Sequence, residues 1–506
     1  MKKRALLSVA DKRGLLEFAR GLLDLGFELI ATGGTKAALD EKGIASTPVE
    51  TITGYPECFG GRVKTMHPAI MGGILFRREN PEDQKEAKKL GIEPIDLVAI
   101  NLYPFEQTIA KPDTKRSEAI EQIDIGGPTL LRSAAKNHAL VTVICDPADY
   151  DRVLDALKMG DLSPAMRSEL AAKVFLRTAA YDSAIAAYLS EGEHSGVMLT
   201  DGKKLRYGEN PHQRGLYFAK YEPLPTAANS IQWAVLQGKE LSYLNILDAD
   251  GAWNLVHEFG EPTAACIKHA NPSGVASHAD ITEAFQRAYD ADRLSAFGVI
   301  IALNRPCTKE IAQKIIDQKI FTEVVIAPSY DDGSVEILKQ KPNIRVLELS
   351  GNTRQGLQYR SALGGMLVQD FDTKAVRRED LKCVTKKKPT DAQIDDMLFA
   401  WKVVKNASSN AIVFVKDKAT VGIGCGQTSR VDALWIAARR AGDRAKGAVM
   451  ASDAFFPFPD SVEEAAKHGI SAIIQPGGSI RDEEVFKKAD ELGLTMVLTG
   501  VRGFRH

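Results

Sequence analysis

The chain has 506 residues and a hydrophobic fraction of 44%, too much for one core, since single cores stop growing near roughly 250–300 residues. Its 65 Lys and Arg against 66 Asp and Glu leave a formal charge of -1, which excludes a global field for nucleic acid or an anionic membrane, so any bound anion needs a local cluster. Six cysteines without a C-x-x-C pair fit reduced thiols in a cytoplasmic protein. No apolar run reaches the roughly 18 residues of a membrane span. In chain order, Ala5–Val9 reads as a strand, Leu15 to Leu23 as an amphipathic helix, 27–31 as a strand and 36–41 as a helix, a βαβ rhythm. Leu97–Leu102 and Val141–Cys145 are further strands around a helical stretch through Leu130–Lys136, so a mostly parallel sheet covered on both faces is expected. A long helix from Ser163 to Leu189 precedes the polar stretch 190–196, which suits a seam, and the domain boundary is placed at 197/198. Beyond it, strand candidates at 265–268, 299–303, 324–327, 345–349, 411–415, 421–423, 448–450, 472–474 and 496–498 alternate with helices. A second, larger α/β unit over 198–506 follows, and no short-period repeat is seen.

Chemistry-bearing segments in the first unit come in four groups. Thr32-Gly33-Gly34-Thr35 joins a strand to a helix, where backbone N–H groups and the helix dipole can receive a phosphate, although a glycine pair there also makes a plain tight turn. Gly60–Pro68 carries Arg62, Lys64 and Thr65, whose cations face one way if the segment is extended. Asn101 and Tyr103 end a buried strand, the place where open α/β sheets bind ligands; Tyr103 equally suits a core. Asp124 precedes a glycine pair and a helix that carries Lys136, so acid and base can converge on one crevice, or Asp124 can simply cap the helix.

Taken together, the runs Gly-Gly-Arg-Val-Lys-Thr, Asn-Leu-Tyr-Pro-Phe and Gln-Ile-Asp-Ile-Gly-Gly resemble the cyclohydrolase domain of the bifunctional purine-biosynthesis family. The resemblance implies a methylglyoxal-synthase-like fold and a nucleotide phosphate held by Lys12, Thr32, Gly33, Gly34, Thr35, Arg62 and Thr65, with Asn101 lining the site. It also implies chemistry by Lys64, Tyr103, Asp124 and Lys136. The reaction is attack of a carboxamide nitrogen on a neighbouring formyl carbon with loss of water. Asp124 and Lys136 are assigned to the proton transfers, and Lys64 and Tyr103 to the developing charge. Ala10 departs from the hydroxyl residue expected in several relatives.

In the second unit, 265–274 reads as a strand ending in Lys268-His269 and an Asn-Pro turn, which on its own is more often structural. The context is the segment 205–213, the run 421–430, Ser452–Phe458 and the terminal Arg502–His506, which together resemble the same family's formyltransferase domain along almost its whole length. That resemblance implies a duplicated cytidine-deaminase-like α/β fold and two substrates, aminoimidazole carboxamide ribonucleotide and 10-formyltetrahydrofolate. His269 is implied as base, with Lys268 at the oxyanion or the departing folate nitrogen. Arg206, Tyr207 and Arg502 are implied to hold the nucleotide, Arg430 to be among the substrate-binding residues, Asn410 to orient the formyl oxygen, Phe455 or Phe456 to pack near the folate, and His506 to add a polar contact. Ser273 and Gly503 depart from the expected pattern. A homodimer with shared transferase sites is implied as well.

Two other patterns lead elsewhere. Val421-Gly-Ile-Gly-Cys-Gly sits where a dinucleotide loop would, but Gln427 replaces the third glycine. His278-Ala-Asp280 and Pro306–Glu310 lack the second cysteine of a zinc deaminase, so no zinc is expected, while a monovalent ion among backbone carbonyls stays open. Finally, the first unit could be a non-catalytic nucleotide-effector module attached to a formyltransferase. Such a sensor needs the Gly-Gly-Thr and Arg62 grip but not Tyr103, Asp124 and Lys136, and their presence favours catalysis.

Overall fold

The computed structural model describes residues 2–221, 231–351 and 356–506. They form two compact units, Met1–Asp201 with Ala219–Leu224, and Gly202–Phe218 with Pro225–His506. The division is therefore not a single cut. No helix among the described residues is long and apolar enough to cross a membrane.

The first unit is built on five parallel strands, β1 (Arg4–Val9), β2 (Glu28–Ala31), β3 (Thr47–Pro48), β4 (Leu97–Asn101) and β5 (Thr142–Ile144), in the order β3-β2-β1-β4-β5. Ala5, Leu6 and Leu7 are fully buried, as a parallel strand covered on both faces requires. The helix Leu15–Asp24 buries Leu15, Phe18, Ala19 and Leu22, the spacing of one helical face. The next helix begins at Gly33, three residues before the expected start, so the glycine pair forms its first turn. From β1 the chain moves to β2 on one side and later to β4 on the other. The crevice at the C-terminal ends of β1 and β4, where Val9 pairs with Asn101, is thus the switch point of the sheet.

The division falls within the strand pair β6 (Leu199–Lys204) and β7 (Leu216–Lys220). The large sheet of the second unit has twelve strands among the described residues. In chain order they are β8 (Gln232–Gln237), β9 (Thr263–Lys268), β10 (Asn271–Ser277), β11 (Val299–Leu303), β12 (Thr322–Ala327) and β13 (Arg345–Ser350). After the separate hairpin β14 (Leu357–Ala362) and β15 (Gly365–Asp370) come β16 (Lys382–Cys383), β17 (Ile412–Lys416), β18 (Ala419–Gly424), β19 (Val449–Ser452), β20 (Ala472–Gln475) and β21 (Thr495–Leu498). All nine strands expected from sequence are present, with ends moved by a few residues; the mostly exposed edge strand β8, the return strand β10 and the two-residue β16 were not expected.

Their order, β16-β21-β20-β19-β17-β18-β10-β9-β11-β12-β13-β8, is a palindrome about the β18/β10 pair. Each half runs edge strand, helix, hairpin, helix, strand, helix, strand, helix, strand, and each has the same parallel and antiparallel pairings. The unit is an internal duplication, in line with the duplicated α/β fold that the resemblance implies. Glycines mark the correspondence. A Cβ at Gly274 on β10 would strike the carbonyl oxygen of Ala288, and one at Gly422 on β18 that of Ala437, each on the helix that follows its hairpin. The glycine pair of the dinucleotide-like run thus serves close helix–strand packing. Because any side chain would have to push the helix away, Gly422→Ala should cost about 1–3 kcal/mol. The check is a lowered denaturant midpoint with an unchanged slope; an unaltered midpoint would contradict it.

Candidate active sites

At the switch point of the first unit, side chains satisfy the backbone where β1 ends. The Thr35 hydroxyl accepts the Val9 N–H at 2.9 Å, and Asn101 Oδ1 accepts the N–H groups of Ala10 and Asp11 at 2.6 and 2.7 Å. Asn101 Nδ2 closes the clamp on the Asp11 carbonyl at 2.9 Å. The Thr32 and Ser8 hydroxyls lie 2.6 Å apart. Thr32, Thr35 and Thr65 are buried. This framework presents the first turn of the helix Gly33–Glu41 to the crevice, and two ammonium groups converge on it: Lys64 Nζ would lie 3.8 Å from a Cβ at Gly33, and Lys12 Nζ 3.9 Å from one at Gly34. Two cations over the N-terminus of a helix form a seat for an anion.

Asp124 lies beside this seat. Its Oδ1 accepts the Gly127 N–H at 2.7 Å, capping the helix Gly126–Lys136, and its own N–H is held by the Tyr181 hydroxyl at 2.8 Å. Gly127 has no room for a side chain, because a Cβ would strike the carboxylate. Burial raises the Asp124 carboxyl above the usual range, countered by the N–H groups of Gly127 and Tyr103 and by the nearby charge of Lys64. The Thr65 hydroxyl would be 3.2 Å from a Cβ at Gly126, so Thr65 joins the group.

One sequence expectation is not met there. Lys136 ends the helix that Asp124 caps, and ten residues at 1.5 Å each put its backbone ~15 Å from the acid. The expected convergence of acid and base fails because the helix that joins them is also what separates them. Arg62 is exposed and ion-paired with Glu121. Tyr103 is exposed, not in the core.

In the second unit, Lys268 pairs with Asn271 across a two-residue turn made by His269 and Ala270, with φ of 52° and 58°. The turn is therefore His-Ala, and the expected Asn-Pro turn is already the return strand, with Pro272 accommodated at a bulge. Two left-handed residues without glycine form a tight hairpin at a cost in backbone strain. Asp248 accepts the Ala270 N–H at 2.7 Å; burial raises its carboxyl, countered by that N–H and by the charges of His269 and Lys268. Lys268 Nζ donates to the carbonyls of Phe297 at 2.9 Å and Gly298 at 3.2 Å. Gly298 faces Phe321, which lines a cleft of about 620 Å³. Arg206, Lys239, Lys319, Lys341 and Arg345 also line it, against the single carboxylate Glu323. Arg206 packs over the Tyr207 ring at 5.1 Å.

The remaining predicted residues divide. Arg430 is buried against Asp453 in an ion pair and donates to Asn410 Oδ1 at 2.7 Å, while Asn410 Nδ2 donates to the Gln427 carbonyl at 2.9 Å. Half of the hydrogen-bonding capacity of the Asn410 side chain is thus used within the protein. Phe456 belongs to the core at 0% exposure, leaving Phe455, at 39%, as the aromatic that can meet a ligand. Arg502 stacks on Phe504 at 4.5 Å and Phe504 meets His506 edge-on at 5.5 Å, all three exposed. The Ser273 hydroxyl donates to the Cys266 carbonyl at 3.1 Å, and Gly503 lies against Trp401 and Lys405, so both departures have structural uses. Sequence reasoning missed Asp248, Asp453 and Tyr181; the acids Asp248 and Asp250 in the otherwise apolar helix Tyr243–Val256 were the available signal for the first.

The AICARFT/IMPCHase bienzyme family matches residues 134–440, and the MGS-like domain matches residues 14–129. The chain belongs to the AICARFT/IMPCHase bienzyme family. It is 52% identical over 515 residues to the bifunctional purine biosynthesis protein PurH of Bacillus cytotoxicus, covering 100% of both chains. It is also 52% identical over 516 residues to that of Bacillus mycoides, again with 100% of both covered. A solved structure described as that of ForH is 39% identical and covers 38% of this chain and 99% of its own, with a TM-score of 0.34. The N-terminal unit is thus methylglyoxal-synthase-like, with the parallel sheet expected for it.

Removing Arg430 would leave Asp453 buried without its cation, so Arg430→Met should destabilise the protein by about 3–5 kcal/mol. Chemical denaturation checks this, and wild-type stability would place Arg430 outside the framework.

Proposed function

We infer that this chain performs two successive reactions of purine biosynthesis. It transfers the formyl group of 10-formyltetrahydrofolate to the 5-amino group of aminoimidazole carboxamide ribonucleotide, then closes the product to inosine monophosphate. What supports the reading most is that the reactive residues gather into two groups, one in each unit: Lys64 and Asp124 at the Gly33–Gly34 seat, and Lys268 and His269 at a hairpin turn.

For ring closure, the nucleotide phosphate sits on the N–H groups of Gly33 and Gly34 with Lys12 above it. This fixes the carboxamide nitrogen and the formyl carbon as neighbours, which supplies most of what an intramolecular attack needs. As the C–N bond forms, Asp124 takes the amide proton; its other function, capping the helix, keeps the carboxylate in place. Lys64 stabilises the oxyanion on the former formyl oxygen; that oxygen takes back the proton held by Asp124 and a second from Lys64 and leaves as water, while the former 5-amino nitrogen returns its proton to Lys64. Tyr103 supports the same charge. Lys136 is given no step.

For formyl transfer, the amine attacks the formyl carbon, His269 accepts the amine proton, and the carbon–nitrogen bond to the folate breaks. Two of the three donors of Lys268 are committed to carbonyls, which aims the third at the tetrahedral oxyanion or at the departing folate nitrogen. The five-cation cleft beside Lys268 takes the nucleotide phosphate through Arg206, and Phe455 offers its ring to the folate. A homodimer is part of this reading. The hairpin β14–β15 supports it, exposing Leu363, Met366, Leu367 and Val368.

His269→Ala is expected to abolish formyl transfer while closure of supplied formylated nucleotide continues, and Lys64→Ala to do the reverse. Loss of both activities in either folded variant would contradict independent sites. Because burial raises the Asp124 carboxyl, its ionised form is lost as pH falls through a value above the ordinary aspartate range. The rate of closure against pH should show its acid limb at that higher pH; a limb at or below the pH where an exposed aspartate protonates would remove Asp124 as the base.

A further inference from the structure

The hairpin turn of the second unit poses a mechanical problem. His269 and Ala270 are both left-handed without being glycine, a strained conformation that persists only where surrounding contacts over-determine it. One contact is the Asp248 carboxylate on the Ala270 N–H at 2.7 Å. The other comes from the chain terminus. Arg505 donates through one nitrogen to the Ala270 carbonyl at 3.0 Å and through the same nitrogen to the Asn406 carbonyl. Its second nitrogen would lie 3.5 Å from a Cβ at Gly251, on the helix that carries Asp248, so the missing side chain there leaves space for the guanidinium. The tail is anchored in turn, since Ser409 N–H donates to the Arg505 carbonyl at 2.9 Å and Gly503 N–H to the Asp453 carbonyl at 2.9 Å. Carboxylate and guanidinium thus hold the two peptide groups that flank Ala270.

The duplicated half contains an internal control. At the matching place, Asp417 and Lys418 form a two-residue turn with φ of 52° and 54°. Asp396 stands at the same helix position as Asp248, the sixth residue of its helix, and accepts the Asp417 and Lys418 N–H groups at 2.9 and 2.7 Å. Arg287 donates to the Asp417 carbonyl. One acid and one arginine recur, but Arg287, from the helix Ile281–Ala291, binds the carbonyl of the first turn residue, whereas Arg505, from the C-terminal tail, binds that of the second. An arginine on a turn carbonyl is thus common to both halves, on different peptides. The halves differ in what the turn presents: an imidazole in one and a carboxylate in the other.

We propose that Arg505 is a positioning residue for formyl transfer, holding the His269–Ala270 turn by its carbonyl so that the imidazole meets the amine. The inference rests on His269 being the base. It concerns a residue that the sequence passed over in favour of its neighbours Arg502 and His506, which alternate to the other, exposed side of the tail.

The test uses the full-length protein and the variants Arg505→Gln, Arg505→Lys, Arg287→Gln and His269→Ala, with formyl transfer, closure of supplied formylated nucleotide and thermal unfolding measured for each. Arg505→Gln should lower kcat of transfer by about 10–100-fold, the cost of a small misplacement, with KM for the nucleotide within about twofold. Arg505→Lys, whose ammonium can still reach a carbonyl, should recover part of that loss. Arg287→Gln should leave both activities unchanged, and closure should continue in every variant. Wild-type kcat in Arg505→Gln, a loss confined to KM, or an equal loss in Arg287→Gln would overturn the proposal. If Arg505→Gln does not fold, Arg505→Lys decides: reduced kcat with KM intact supports positioning, and wild-type kcat overturns it. Normal transfer in His269→Ala would instead remove the reading on which the inference rests, whatever the Arg505 variants do.

Discussion

A peptide group that leaves a buried strand must find a hydrogen-bond partner, and in this chain that requirement shapes both sites. An unpaired buried N–H or carbonyl costs as much as a lost hydrogen bond. At the end of β1, the unsatisfied groups of Val9, Ala10 and Asp11 are taken by Thr35 and Asn101. At the end of β9, those of Ala270 are taken by Asp248 and Arg505. In each case the residues that satisfy the backbone also fix where the reactive groups stand: Lys12 and Lys64 over the helix turn opened by Gly33, and Lys268 and His269 around a strained hairpin. Rigidity is thus obtained from backbone satisfaction, to which the reactive side chains themselves contribute only through the carbonyls held by Lys268 and the N–H groups held by Asp124.

Duplication explains how the second unit obtained such a turn. Both halves keep the glycine that admits the helix, the acid at the sixth helical position and the left-handed hairpin, because these follow from the geometry of the repeat. What the turn presents is free of that constraint, and the halves have diverged there. Lys268-His269 stands in one half where Lys416-Asp417 stands in the other. A pair of cationic and basic groups suited to a tetrahedral oxyanion and an amine proton is therefore confined to one half, while the fold is common to both.

Much of this was legible in the sequence. The alternation of apolar runs and helical spacing gave the parallel sheet and most of the large one, because buried strands are written as continuous Val, Ile and Ala. The convergence of Lys64, Asp124 and the Gly33–Gly34 turn could be anticipated from motifs that each mark a strand end. What stayed hidden depends on which way a side chain points or how far an element reaches. Asn101 and Thr35 look like ligand contacts and serve the backbone. Asp124 and Lys136 look adjacent and are separated by the length of a helix. Phe455 and Phe456 are neighbours of one type, yet one faces solvent and the other the core. Arg505 carried no local signal, since its partners Ala270 and Asn406 are 235 and 99 residues away.

The central claim is that the chain carries the reactive groups of two separate sites, each orienting a weak nitrogen nucleophile toward a formyl carbon. Complementation tests it most directly: His269→Ala and Lys64→Ala proteins, each inactive alone in converting aminoimidazole carboxamide ribonucleotide and formyl folate to inosine monophosphate, are mixed and product is followed by absorbance. The account predicts that the mixture makes inosine monophosphate, because one variant supplies the formylated intermediate that the other closes. A mixture that stays inactive while both proteins are folded would contradict it.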